Sequence, residues 1–235
     1  MCRYLFILGI SLVTLGSMPV YAQTASDTTS EHKGKKMDSA SHQLCIGIDL
    51  VRLGANNYYT DRKGYELHAD YYFKNDFYLT AEGGWGNSKV NYTDLKYTTS
   101  NSFFQAGFNK SILTREGKKD WDMMMIGMRA GFAPINRSSV TYFVADSVWG
   151  STPLQTAGSE RYTAVWLEVT AGMRVELFKG IMAGWNLRGK FLMNSKSFKD
   201  PAPLYIAGYG RGDKATSFVF NVYLSYAVRW NRKYQ

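Results

Sequence analysis

The stretch Thr216-Ser-Phe-Val-Phe-Asn-Val-Tyr-Leu-Ser-Tyr-Ala-Val-Arg-Trp230 decides the fold. Thr216, Phe218, Phe220, Val222, Leu224, Tyr226, Val228 and Trp230 fall on one face at period two. Ser217, Val219, Asn221, Tyr223, Ser225, Ala227 and Arg229 fall on the other. A helix would mix the two sets, whereas a pleated strand separates them.

The same alternation recurs seven times upstream, over 44–51, 65–73, 77–85, 104–109, 124–132, 163–177 and 181–191. The connections alternate as well. Those after the second, fourth and sixth segments are short or polar: Lys74-Asn75-Asp76, Leu113 to Asp120, and Phe178-Lys179-Gly180. Those after the first, third, fifth and seventh are longer, with Ala133 to Ser159 and Met193 to Ala215 the longest. Eight strands with short turns at one end and long loops at the other predict an all-β fold. It is an eight-stranded antiparallel up-and-down transmembrane β-barrel over residues 43–235. An even strand number puts both termini on the short-turn, periplasmic side.

Composition agrees. Aromatic residues make up 15% of the 235 residues, with 22 Gly and 5 Pro, which favours strands. Beyond the N-terminus no apolar run reaches the ~18 residues of a helical span. The 2 Cys and 3 His leave little for a metal centre, and no cofactor motif is present. Residues 1–22 read as a secretory signal: Arg3, the apolar run Leu5 to Leu15, then Val20-Tyr21-Ala22 with cleavage before Gln23. Residues 23–42 lack Phe, Trp and Tyr and carry balanced charges, as a disordered periplasmic linker does. Asp27-Thr28-Thr29 and Asp38-Ser39-Ala40 in it resemble bacterial O-glycosylation triplets. The mature chain keeps Cys45 alone, so no internal disulfide forms.

Alternation by itself leaves open a soluble, inward-apolar ligand-binding barrel. The charges favour a membrane barrel. No ionisable residue stands in the middle of an apolar face. The polar face carries Asp49, Glu66, Asp70, Glu82, Glu168 and Glu176 against Arg129, Arg174, Arg188, Lys190 and Arg229. Near-balance and a preference for Arg over Lys suit a confined lumen network. Glu66, Glu82 and Glu168 are expected to meet Arg129, Arg174 or Arg188. Aromatic residues gather at the ends of the apolar faces: Phe73, Phe77 and Trp230 at one, Tyr65, Trp85, Phe132 and Phe218 at the other. These read as interfacial girdles, with Tyr71 and Trp185 as exceptions. Removal of Arg3 with the signal takes the formal net charge from +9 to +8, and the positive excess falls outside the lumen face, at both rims, where anionic lipid headgroups lie. Outer-membrane lipids, not nucleic acid, are therefore the expected partners.

The chain resembles a family of small, uncharacterised outer-membrane β-barrels of the Bacteroidota type, a domain of unknown function. The resemblance covers roughly residues 43–230. It is carried by Gly47-Ile48-Asp49-Leu50, Gly64-Tyr65-Glu66 and Gly127-Met128-Arg129-Ala130-Gly131-Phe132, in that order. It implies a fold and a compartment and no activity. The tail departs from the usual outer-membrane ending, since Asn231-Arg232-Lys233-Tyr234-Gln235 follows Trp230.

The expected role is a non-enzymatic barrel with a charge-plugged lumen and basic external loops, serving a structural or surface-interaction purpose. No catalytic, cofactor-binding or metal-binding residue is expected. One alternative is a lipid-modifying enzyme centred on His68, which shares the lumen face with Asp70. Another is the soluble binding barrel. Eight strands enclose little more than their own side chains. With Tyr72, Tyr78, Trp166 and Tyr223 also pointing inward, solute conduction is not expected. Arg211-Gly212-Asp213 reads as a turn in a Gly-rich loop.

Overall fold

The computed structural model describes residues 41–93, 95–113, 121–142, 145–146, 150–151, 155–195, 198 and 202–231. The signal segment, nearly all of the linker with both triplets, and the tail from residue 232 lie outside the described residues. In chain order the elements are β1 (Ser41–Asp49), α1 (Leu50–Tyr58), β2 (Arg62–Lys74), β3 (Phe77–Asn91), β4 (Leu95–Ser111) and β5 (Met123–Arg137). There follow β6 (Val140–Tyr142), β7 (Ala145–Asp146), β8 (Gly150–Ser151) and β9 (Gln155–Ala157), then β10 (Glu160–Phe178), β11 (Ile181–Leu192) and β12 (Thr216–Asn231).

Eight long strands form one closed antiparallel barrel. β1, β2, β3, β4, β5, β10, β11 and β12 pair in sequence, and β12 pairs back onto β1 from Ser41↔Asn231 to Asp49↔Tyr223. No edge of this wall is left open, so every strand's backbone groups find partners within it, as a lipid-embedded sheet requires.

The apolar set of each strand faces out. On β12, Phe220 is 52% exposed and Leu224 38%, while Asn221 and Ser225 between and beside them are buried. β5 alternates without a break from Met123 to Arg137. An inward-apolar barrel would invert this pattern, so the soluble alternative is not the fold adopted. The wall is a transmembrane β-barrel surface, apolar where acyl chains would lie. Aromatic pairs bound it: Tyr65 with Trp85 (5.6 Å) at the long-loop end, Phe77 with Phe108 (6.3 Å) and Tyr71 with Trp230 (6.3 Å) at the short-turn end. Strand tilt brings Tyr71 level with Trp230, so Tyr71 belongs to the girdle after all. Trp185 lies against Phe220 within the band.

The short turns follow local chemistry. Asn75 and Asp76 both adopt positive φ (52° and 63°), the two-residue geometry that matches strand twist. Gly180, at φ 84°, closes the β10–β11 hairpin.

The structure departs from the expected boundaries in four places, one at the short-turn end and three at the long-loop end. β1 begins at Ser41, inside the stretch assigned to the linker, and His42 stacks between Tyr71 and Trp230. Leu50 and Val51 leave the first strand and open α1, because the Asp49 carboxylate accepts the Arg52 backbone N–H (2.9 Å) and caps the helix. β3 and β4 run on past the apolar band as a hairpin joined by residues 92–94, where the expected long loop had been placed. Their extensions still bury one face, with Ser88, Thr99 and Asn101 inward, but these are polar, so little hydrophobic alternation marks the strands. β6 and β9 add to β4 above the barrel, around a small cluster of Val90, Tyr97 and Val140.

Candidate functional site: a sealed charged lumen and its mouth

The lumen is layered. At the short-turn end Cys45, Tyr72, Tyr78, Trp121, Met123, Met125, Met182, Tyr223 and Ala227 pack into an apolar floor. At the rim outside it, Arg229 grips Glu176 with two parallel hydrogen bonds (2.9 and 2.8 Å) and reaches Gln43 (3.0 Å).

Above the floor lie the charges. Arg174 pairs with Asp70 (3.0 Å) and donates to the Met123 sulfur (3.0 Å). Higher up, Arg188 reaches Glu66 (2.9 Å) and both oxygens of Glu82 (2.6 and 3.0 Å), while its Nε donates to Asn186 (2.8 Å). Arg129 bridges Glu82 (2.6 Å) and Glu168 (3.1 Å). Lys190 stands 3.4 Å from Glu168, and Gln105 donates to Glu82. Asp49, besides capping α1, accepts from the Asn221 amide. Of the eleven lumen charges read from the sequence, nine are buried, and Glu176 and Arg229 form the rim pair. Glu66, Glu82 and Glu168 meet Arg129, Arg188 and Lys190; Arg174 turns instead to Asp70.

Glycines make room for these side chains. Gly107 stands across from Arg129, Gly131 from Trp166, Gly172 from Asn186 and Gly184 from Tyr223. A Cβ on Gly184 would lie 2.5 Å from the Tyr223 hydroxyl, and one on Gly131 would collide with the Trp166 ring. Each large side chain lies flat across a bare stretch of the neighbouring strand.

The roof is the part sequence reasoning missed. The β11–β12 connection folds back into the barrel mouth. Tyr205, Ile206, Ala207 and Tyr209 pack against Phe103, Ala133, Ile135, Ala164, Trp166 and Leu192. The Asn101 amide holds this plug from the wall, donating to the Tyr205 carbonyl (3.2 Å) and accepting from the Ala207 N–H (2.7 Å). Lys190 donates to the Gly208 carbonyl, which ties the roof to the charge layer. Arg52, from α1, donates to the Tyr205 hydroxyl (2.9 Å) and pairs with Glu66 (3.5 Å). Burial opposes the Arg52 charge, but Tyr205 and Glu66 outweigh it and its pKa rises. Burial pushes the Tyr205 hydroxyl above the usual phenol range, with Arg52 pulling the other way. The signal that could have marked the plug is Leu204-Tyr205-Ile206-Ala207, an apolar run within a loop otherwise rich in Gly and charge.

His68 is buried on the lumen wall, edge-on to Tyr223 at 4.9 Å. Asp70 beside it is engaged by Arg174, and among the described residues no serine hydroxyl is bonded to His68. The sequence pair thus lies within the charge layer, beneath the plug, away from the mouth where a lipid acyl chain would enter. Arg211 and Asp213 bond to each other (2.9 and 2.6 Å), so the two charged ends of that tripeptide are turned on themselves.

A family model described as a domain of unknown function, DUF6048, matches residues 1–233. No curated protein matches the chain. Among solved structures, the chain is similar to Ail, the attachment invasion locus protein of Yersinia pestis: 11% identity over 82% of this chain and 99% of that one, with a TM-score of 0.41. It is also similar to Neisserial surface protein A: 9% identity over 82% and 96%, with a TM-score of 0.36.

Proposed function

For a chain that belongs to the DUF6048 family, whose description names no activity, we infer a function from the barrel itself: an integral outer-membrane protein, non-enzymatic, with a permanently closed lumen and a surface-interaction role at its long-loop end. The observation that carries this reading is the triple closure of the interior. Among the described residues, floor, charge layer and plug follow one another along the lumen and leave little room for a solute path or substrate chamber. What is left to act is the outer wall and the mouth. The wall's apolar band suits acyl chains, and the basic residues beyond its girdles suit anionic headgroups.

In this reading residues 1–22 are cleaved on export and the linker from 23 lies in the periplasm. Both termini are then periplasmic and the long-loop end is external. The resemblance to Bacteroidota barrels belongs to the same proposal. The lumen charges serve as a structural lock, since buried charges of opposite sign must pair or be stranded.

The test combines three measurements. The protein should fractionate with outer membranes. It should migrate differently on a detergent gel before and after boiling. It should give no steady conductance in planar bilayers. Recovery as a soluble monomer would overturn the membrane assignment, and steady channels would overturn the closed lumen.

A further inference from the structure

Beside the plug, at the long-loop end, a cavity of about 300 Å3 opens between α1, the start of β2 and the start of β12. Arg52, Arg62, Lys63 and Arg211 line it, and among the described residues no acidic side chain does. Two of these cations are already engaged, Arg52 by Glu66 and Arg211 by Asp213. Arg62 and Lys63 form no ion pair among the described residues.

The walls are built, not incidental. Asn56 bonds both the N–H and the carbonyl of Gly64 (2.7 and 2.8 Å), which pins α1 to β2. Arg62 stacks over the Tyr59 ring with its guanidinium 4.0 Å from the centroid, fixing a cation over the opening. Tyr205 supplies the inner wall through its bond to Arg52. At the lip lie Phe218, 74% exposed on the outer face, and Ser217, whose hydroxyl turns inward toward Gly210.

We propose that this cavity binds an oxyanion carried on a sugar ring, a phosphorylated or sulfated saccharide unit. Two unpaired cations and two more behind them call for a group of more than one negative charge, and planar guanidinium groups match the oxygen geometry of phosphate and sulfate. The exposed Phe218 ring at one edge and the inward Ser217 hydroxyl at another suit a hydroxylated ring better than a bare ion. The volume, at the small end of ligand pockets, accommodates one sugar unit. Such a unit can be free in solution or held by a membrane glycolipid. That this end faces outward rests on the orientation proposed above; the binding chemistry does not.

The experiment uses the whole protein refolded in detergent micelles, titrated with glucose 6-phosphate, inorganic phosphate and glucose by calorimetry. Glucose 6-phosphate should bind saturably, more tightly than inorganic phosphate, and weaken as salt rises; glucose should not bind. Arg62→Gln with Lys63→Gln should weaken binding by about tenfold or more, through the loss of two charge-assisted contacts. Their heat-modifiable migration should remain intact, and Arg62→Lys with Lys63→Arg should restore most of the affinity. Lys89→Gln, outside the cavity, should change nothing. In nanodiscs containing phosphorylated lipid A, a large loss of apparent affinity for glucose 6-phosphate identifies a membrane-held occupant; an unchanged affinity identifies a soluble one. Absence of saturable binding at millimolar glucose 6-phosphate, equal binding of glucose, or indifference to the double substitution overturns the site. If binding succeeds in detergent while protease on whole cells cannot reach this end, the orientation falls and the site stands.

Discussion

Replacing Arg188 with Met removes the most connected cation of the lumen while keeping a side chain of similar length. Arg188 reaches Glu66 at 2.9 Å and Glu82 at 2.6 and 3.0 Å, and lies 3.7 Å from Glu168. Without it Glu66 keeps only Arg52, at 3.5 Å, whereas Glu82 keeps Arg129, at 2.6 Å, and the Gln105 amide. Stranding one partner of a buried pair costs about 3–5 kcal/mol. Glu66 is left close to that state and Glu82 only partly, so the expected loss is about 5 kcal/mol. Arg129→Met is milder, because Glu168 retains Lys190 at 3.4 Å and Glu82 retains Arg188. The expected loss there is about 3 kcal/mol. Urea unfolding from lipid vesicles, followed by tryptophan fluorescence, measures both. Adding Glu82→Gln to Arg188→Met should recover part of the loss, with a coupling energy of about 0.5–3 kcal/mol. An unchanged midpoint for Arg188→Met, or a larger cost for Arg129→Met, would refute the view that these pairs lock the barrel.

Three further outcomes are expected. Leu224→Arg should cost about 2–4 kcal/mol of folding in bilayers, and single labels at 220–228 in a Cys45→Ser background should report lipid at even positions only. Gly131→Ala should destabilise by about 1–3 kcal/mol through crowding of Trp166, seen as a lowered urea midpoint; a neutral result would mean the indole has room to move. Asn101→Ala removes the two Asn101 bonds to the plug, each broken partner costing about 1–3 kcal/mol, so amide exchange at 204–210 should rise tenfold or more while that of β12 stays unchanged.

How much of this was legible in the sequence follows from what each face of the chain meets. Inside the apolar band one face meets lipid and the other meets protein, so the pattern is strict and all eight strands could be read from it, Thr216 to Trp230 above all. Beyond the band β3 and β4 still alternate between buried and exposed, but with polar residues on both faces, as at buried Ser88 and exposed Lys89, so the strands continue unmarked. α1 was hidden because Asp49 serves two neighbours at once: as a strand residue it points inward, and as a cap it starts a helix at Leu50. The lumen charges were legible as a set, since only an enclosed face would place Arg129, Arg174 and Arg188 among apolar strands. Their partners were legible only as two groups, because a pair such as Arg188 and Glu82 spans the bore between strands that are not neighbours. The plug was least legible: Ile206 and Tyr209 are buried by folding back into the bore, a long-range event with no local period.

The pairing of bare glycine against bulky side chain across adjoining strands also governs how such a chain can drift over generations. A ring or guanidinium in the bore occupies its own position and the space over its neighbour's backbone, so neither site can change alone. Alanine at 131 beside Trp166, or a larger residue at 184 beside Tyr223, is disfavoured unless the partner shrinks in the same lineage. Viable histories must therefore exchange these residues two at a time, leaving correlated substitutions on the inner wall while the lipid-facing wall is free to swap one aliphatic residue for another.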